Sequence, residues 1–204
     1  MNKIEAIKLE RDGLAVKDMI AQYAKSGWES IPESDIQRLK WYGLFLRNPT
    51  PGFFMVRVRI PGGKTGSYQL KALAAIAGTY GNGVLDLTTR QQIQLRQIKI
   101  EDVPSVFAKM EEVGLTSLQT GMDNVRNVMT CPVAGLSPDE VSDATPLVRA
   151  INEEILGNAA YSNLPRKFNV AVTGCPDNCV HMETQDLALV PARYDDGHGR
   201  NAGY

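Results

Sequence analysis

Among 204 residues there are only three cysteines, two histidines and two tryptophans. Nowhere is there an uninterrupted apolar run near the ~20 residues that a membrane helix needs. The cysteine count is odd, and Cys175 and Cys179 sit close together. That usage suits reduced thiols or metal ligands in the cytoplasm rather than a disulfide framework. Charges (Lys3, Glu5, Lys8) fall where a signal peptide would be apolar, which argues against export. Basic runs with interleaved aromatics are lacking, so nothing tracks a nucleic-acid backbone, and no repeat or low-complexity tract is visible. What is present is ordinary for a soluble globular chain: 43% hydrophobic and 22% charged residues with a net charge of −1. The length can bury a real core, as one domain or two small ones.

Residues 1–46 read as a mainly helical N-terminal segment that wraps the rest of the chain. Leu14, Val16, Met19, Ile20 and Tyr23 share one helical face. Turn chemistry at Pro32 precedes a second helix whose apolar side is Ile36, Leu39 and Trp41 or Tyr42. From 53 to 60 the chain alternates as a strand, with Arg57 and Arg59 on one face, and Pro61-Gly62-Gly63 ends it. An Ala/Leu-rich helix over 67–77 is expected to close at Gly78 and the Gly81-Asn82-Gly83 turn. Strands are expected at 84–88 and 93–98, then a helix from 102 to 113 that stops at Gly114. Strand, helix, strand, strand, helix over 47–115 suggests half of a ferredoxin-like α+β sandwich.

Over 116–204 the character changes. Leu136-Ser137-Pro138-Asp139-Glu140 is expected to open a helix running towards Leu156. Strands are expected at 168–173 and 186–190. The last eleven residues read as a polar hairpin whose return strand has barely begun, so the second unit reads as truncated at its C-terminus.

The chemistry concentrates in short stretches: Thr88-Thr89-Arg90-Gln91, 121–127 (GMDNVRN), 130–135 (TCPVAG), 164–169 (LPRKFN) and 174–179 (GCPDNC). Basic and amide side chains gather on turns beside apolar strands, which is what a site for a small anion or an acidic cofactor requires. Arginine stays charged and meets carboxylates in fork geometry. A lysine among other cations has a lowered pKa and can deliver a proton. An asparagine holds an intermediate without adding charge. If 167–169 lies on a strand, Lys167 and Asn169 face one side together.

LTTRQ (87–91), VGLTSLQTGMDNVRN (113–127), PVAGLSPDE (132–140) and NLPRKFNVAVTGC (163–175) stand in one order across 40–193. Together they resemble the N-terminal half of the ferredoxin-dependent nitrite and sulfite reductases, which carry sirohaem and a 4Fe-4S cluster. The resemblance implies a ferredoxin-like half-domain followed by the first half of a sirohaem and iron–sulfur reductase domain. It implies six-electron reduction of nitrite to ammonia, or of sulfite, with ferredoxin as donor. Arg90, Arg126, Lys167 and Asn169 match the positions around the substrate. Arg57, Arg59, Thr89, Gln91 and Asn127 are the candidates for holding the cofactor, although a solvated strand face explains Arg57 and Arg59 equally well. Asn169 in place of a second lysine favours the nitrite branch.

The family's cluster ligands, in Cys-x5-Cys and Cys-x3-Cys pairs, belong to a second repeat that this chain would lack. Cys175 and Cys179 occupy the symmetry-related place and are expected to be reduced and structural, with no metal. The competing arrangement joins them to Cys131, with His181 completing the set. Ferredoxin, being acidic, would dock on basic groups, for which Lys40, Arg47, Lys64 and Lys71 are candidates. The fragment is expected to be inactive alone, to retain sirohaem weakly, and to expose apolar surface where the second repeat would pack. Other readings of the same motifs are an assimilatory sulfite reductase fragment, a non-catalytic ferredoxin-like binding module, or a small iron–sulfur carrier.

Overall fold

The computed structural model describes residues 2–195 and 200–204. Helix α1 (Lys3–Glu10) is capped by Asn2, whose side chain accepts from the Ile4 amide at 3.1 Å. A 3-10 turn (Gly13–Val16) leads into α2 (Lys17–Ser26), which ends where Gly27 turns left-handed. α3 (Glu33–Arg38) runs into a further 3-10 turn, Leu39–Tyr42. The next residue, Gly43, has φ +70°, and a Cβ there would come within 2.7 Å of the Arg57 carbonyl oxygen. Only glycine admits that turn. It releases the chain into β1 (Leu44–Arg47), which pairs antiparallel with β2 (Thr50–Val58).

α4 (Ser67–Tyr80), β3 (Leu85–Leu87), β4 (Ile93–Lys99) and α5 (Val103–Glu111) complete the first lobe. Its sheet has the order β1-β2-β4-β3 and is antiparallel throughout. Beyond α5 the chain returns to the same edge of β2 as β1 does, through a bridge between Thr116 and Arg59. Val56, Val58, Ile93 and Leu95 form its core with Leu73 and Ile76 of α4, Val106 and Met110 of α5, and Ile20 and Tyr23 of α2. The N-terminal helices therefore supply core, not only cover. Gly78 does not close α4: the helix runs on to Tyr80 and is capped at Gly81, whose amide donates to Ala77 at 3.1 Å. Within a helix packed by Leu73, Ile76 and Ala77, one interior glycine costs only about 1 kcal/mol.

In the second lobe, 125–129 runs parallel to 168–172, through bridges Val125–Phe168 and Met129–Ala171. β5 (Val170–Val172) pairs in parallel with β6 (Leu187–Leu189). The helix against them, α6 (Thr145–Ile155), begins well after the expected Leu136. The intervening residues fold into turns held by Ser137 and Asp143 side chains, and Pro146 sits where a first helical turn accepts it. Val125, Val128, Val148, Ile155, Val170 and Val172 make the core. β7 (Ala192–Asp195) and β8 (Arg200–Gly203) pair over four positions, so the return strand is more complete than expected. The Gly197-His198-Gly199 turn lies outside the described residues.

Buried side chains join the lobes, Trp41 and Arg59 among them. Trp41 is fully enclosed and donates Nε1 to the Ser162 carbonyl at 2.6 Å. Arg59 donates from Nε to Leu118, from Nη1 to the Arg126 carbonyl and Asn152, and from Nη2 to Gln119 and Val125.

Candidate anion site

The turn carrying Thr89, Arg90 and Gln91 is tied down from below. Gln91 has φ +56° and reaches Thr130 with both ends of its amide: Nε2 donates to the carbonyl at 2.7 Å and Oε1 accepts from the amide at 3.1 Å. Asn127 donates Nδ2 to the carbonyls of Ile60 (2.8 Å) and Arg90 (3.0 Å), and its own carbonyl accepts from Arg90 Nη2 at 3.3 Å. Gln91 and Asn127 are thus braces whose amides grip backbone, and they fix where Arg90 points. Arg90 reaches Gln185 with Nη1 at 3.3 Å. Thr89, Arg90, Thr130, Cys179, His181 and Gln185 line a cleft of about 540 Å³.

Arg126 leaves the neighbouring strand. Its amide donates to the Phe168 carbonyl at 2.8 Å, and its Nη1 donates to the Thr120 carbonyl at 2.6 Å. Arg57 donates to that same carbonyl at 3.2 Å while its guanidinium lies 4.6 Å from the Phe45 ring. Burial first, then the nearby Arg57 and Arg90, pushes the Arg126 guanidinium down to about 10, with Asp123 opposing. Arg57 is lowered by burial and then by Arg96, and Arg90 by burial with Asp186 opposing. All three stay cationic at neutral pH. The Nε atoms of Arg57, Arg90 and Arg126 are each buried and have no hydrogen-bond partner among the described residues.

Lys167 and Asn169 flank Phe168, the residue bridged to Val125, so strand alternation sends both to the face from which Arg126 departs. Lys167 lines a cleft of about 360 Å³ together with Arg126, Lys40 and Arg166. Asn169 binds Asp186 through its backbone: its amide donates to Asp186 Oδ2 at 2.7 Å and its carbonyl accepts from the Asp186 amide at 3.1 Å.

Two expectations from the sequence do not hold as stated. Arg59 neither lies on a solvated face nor offers donors to a cofactor. It is 2% exposed, and all five of its N–H groups are spent inside the fold. Of Cys175 and Cys179, both expected to be reduced and structural, both are free thiols but only Cys175 is buried. Cys175 packs with Cys131 and Ala134 in a buried cluster, whereas Cys179 is exposed in the Arg90 cleft. Burial raises the Cys175 thiol; a bond with Thr173 opposes this, and Cys131 raises it further. Sequence alone keeps Arg57 apart from Arg126; the shared Thr120 carbonyl makes them neighbours. Lys40, by sequence a docking candidate only, turns into the cleft, bonds Gln37, and is lowered by burial.

Two lobes joined by buried side chains, with the guanidinium groups of Arg57, Arg90 and Arg126 close enough to act on one another's charge, define an α+β protein with a cationic cluster at the junction. A family model for the nitrite/sulfite reductase ferredoxin-like half domain matches residues 47–113, and one for the nitrite and sulphite reductase 4Fe-4S domain matches 121–202. The chain belongs to the nitrite and sulfite reductase family. Ferredoxin–nitrite reductase from Leptolyngbya laminosa is 49% identical over 203 residues, which are 97% of this chain and 40% of that protein. The chloroplastic enzyme of Arabidopsis thaliana is 40% identical, over 98% of this chain and 37% of its own length. The Mycobacterium tuberculosis NirA protein superposes with a TM-score of 0.89 at 30% identity, covering 98% of this chain and 40% of that one. Dissimilatory sulfite reductase I, at 17% identity and a TM-score of 0.61, shares the fold. The chain spans about 40% of the length of the curated relatives it matches.

The family implies iron–sulfur and sirohaem groups. Among the described residues no group of three or more His, Cys, Asp or Glu is placed to hold a metal. With Cys179 exposed, Cys131 and Cys175 buried, and no such group among the described residues, this chain's own thiols do not fit a cluster. No described helix is long and apolar enough to cross a membrane.

Proposed function

We propose that this chain forms the anion-binding portion of a sirohaem-dependent nitrite reductase supplied with electrons by ferredoxin. The observation that carries the reading is the trio of buried, unpartnered Nε atoms on Arg57, Arg90 and Arg126. A buried donor left without an acceptor costs about 1–3 kcal/mol, so such a cluster is explained by a ligand that accepts from all three. Sirohaem, a tetrapyrrole ringed with carboxylates, suits Arg90 and its Asn127 brace, with Thr89 and Gln91 shaping the same rim, and its carboxylates extend to Arg57 and Arg126; Arg126, Lys167 and Asn169 face the substrate beside it. When bound, the cofactor would supply the metal centre and electron path for NO2− + 6e− + 8H+ → NH4+ + 2H2O.

The residues of this chain do the remaining work. Arg126 neutralises the nitrite charge and orients its oxygens, being pre-set with Arg57 on the Thr120 carbonyl. Lys167, exposed at the cleft and surrounded by cations, delivers protons as N–O bonds break. Asn169 donates a hydrogen bond without raising the charge further. The cluster ligands lie in the part of the relatives that this chain does not span. For ferredoxin, Arg47 and Lys71 are the free candidates, since Lys40 turns inward and Lys64 bonds Thr145 at 2.7 Å.

The test pairs this chain with the remaining segment of a nitrite reductase relative and follows nitrite consumption with reduced ferredoxin. Arg126→Ala is expected to lower turnover by roughly 100-fold, as removing one preorganised charge-stabilising donor does. Activity that survives the double change Arg90→Ala/Arg126→Ala would sink the proposal. A sulfite rate above the nitrite rate would move the chain to the sulfite branch.

A further inference from the structure

The cleft shared by Arg126 and Lys167 has two acidic residues in its lining, Glu5 and Asp123, against four basic ones, Lys40, Arg126, Arg166 and Lys167. Both acids are already engaged. Lys8 lies beneath the cleft with its side chain 4% exposed. It donates to Glu5 Oε1 at 2.7 Å, to Asp123 Oδ2 at 3.1 Å and to the Leu164 carbonyl at 2.8 Å. An ammonium has three donors, and here all three are used.

We propose that Lys8 is a positioning residue that keeps Arg126 free for an anion by holding both carboxylates of the cleft away from it. The inference rests on the cleft being the anion site of the proposed function. Asp123 is close enough to Arg126 to act on its charge, and it stands three positions earlier in the same loop. Released from Lys8, its carboxylate faces a cleft lined by Arg126, whose Nε has no hydrogen-bond partner among the described residues. An internal Asp123–Arg126 pair would then occupy the group meant for the ligand. The same ammonium also fixes the Leu164 carbonyl, just ahead of Arg166 and Lys167, while the Leu164 amide donates to the Asp123 carbonyl at 2.9 Å. One buried charge therefore sets both the charge balance of the cleft and the spacing of the two loops that line it.

The test uses the 204-residue chain with two probes: uroporphyrin, a carboxylate-rich tetrapyrrole, for ligand affinity, and phenylglyoxal labelling of Arg126, read by peptide mapping, for the freedom of its guanidinium. Lys8→Met should weaken uroporphyrin binding and slow labelling at Arg126, each by about tenfold, the value of one charge-assisted hydrogen bond. Lys8→Met/Glu5→Gln/Asp123→Asn should return both to within about twofold of the parent. If Lys8 merely held the loops together, removing the acids would not restore either property, and persistence of the defect in the triple variant would overturn the proposal. So would unchanged labelling in Lys8→Met. Asp123→Asn with Lys8 intact answers the question even if Lys8→Met does not fold. Labelling at Arg126 should stay as in the parent, and a several-fold rise would show that Asp123 already pairs with Arg126, against the proposal. Should the parent fail to bind uroporphyrin while labelling shows this pattern, the role of Lys8 stands and the functional reading falls.

Discussion

Asp35 is 3% exposed and accepts hydrogen bonds from Arg11, Tyr23 and Arg38. Arg38, 2% exposed, also reaches the carbonyls of Arg11 and Ile7 and the Glu10 carboxylate, so α1 and α3 are stapled by one ionic network. Burial alone would raise the Asp35 carboxyl, but the three donors outweigh it and leave it below its usual value. Burial and then Asp35 push Tyr23 up to about 12. The signs follow from linkage. The depressed carboxyl stabilises the fold above its unfolded value of about 4 and loses that contribution as pH falls through its folded one. The raised phenol stabilises below its unfolded value of about 10 and ceases to as pH rises through about 12. Asp35→Asn is expected to cost about 3 kcal/mol in urea unfolding at pH 7, because the buried Arg38 loses its buried carboxylate partner and keeps only the exposed Glu10. It should also flatten the acid limb of the stability curve below about pH 4. A parallel acid limb in parent and variant would contradict this. None of it could be read from the residues alone: Asp35 and Arg38 stand in α3, and the apolar Leu39 and Trp41 of the turn that follows announce burial, whereas a buried ion pair looks like any solvated charge in sequence. The thiols teach the same lesson. Spacing joins Cys175 to Cys179, and the fold instead joins Cys175 to Cys131, forty-four positions away. Ellman's reagent should react quickly with Cys179 alone in the native chain and with all three thiols only after denaturation; three fast thiols would refute the burial of the other two.

The turn that carries Arg90 is held in place by side-chain amides rather than by regular pairing. Gln91 supplies both partners of the Thr130 backbone, and Asn127 ties Ile60 to Arg90. Gln91→Leu keeps the volume and removes both bonds. It leaves a buried amide and carbonyl unsatisfied, at a cost of about 2 kcal/mol in thermal or urea unfolding. Because the Arg90 turn is then free to move, uroporphyrin affinity should fall with it, whereas Gln22→Leu, on the exposed face of α2, should leave that affinity unchanged. Equal losses in the two variants would show that the brace is not specific to Arg90. The first lobe was legible at this scale: alternation at 53–60, the Ala/Leu helix and the Val/Ile strand at 93–98 each announce their element, because period and propensity agree there. The second lobe was less so. Its central ladder, 125–129 against 168–172, is parallel and bridges about forty residues, and no local period reports such a partner. The late start of α6 has a local cause, since Ser137 and Asp143 side chains hold the backbone in turns that compete with a helix.

At the scale of the whole molecule, four ordered motifs name the cationic residues, yet their arrangement is not legible in them. Arg57 and Arg126 are brought together by Thr120, a residue with no chemistry of its own, and Lys8 arrives from the segment read as mere wrapping. The surface carries a second pattern. Leu70 and Leu87 line a groove of about 380 Å³ with Pro132 and Ala134. Leu87 and Leu136 are each 81% exposed, and Val133, in the same loop as Leu136, is exposed as well. β3, which bears Leu87, is an edge strand with one side unpaired. An apolar rim beside an open strand edge favours association. The relatives are more than twice as long as this chain, so covering polypeptide is available in them. On its own the 204-residue chain is expected to self-associate through this rim. Leu87→Ser/Leu136→Ser should shift it towards monomer in sedimentation velocity and lower its fluorescence with an apolar dye. The unfolding free energy should change by less than about 0.5 kcal/mol, because neither side chain is part of a core. A monomeric parent, or a variant that associates as strongly as the parent, would show that this rim drives no assembly.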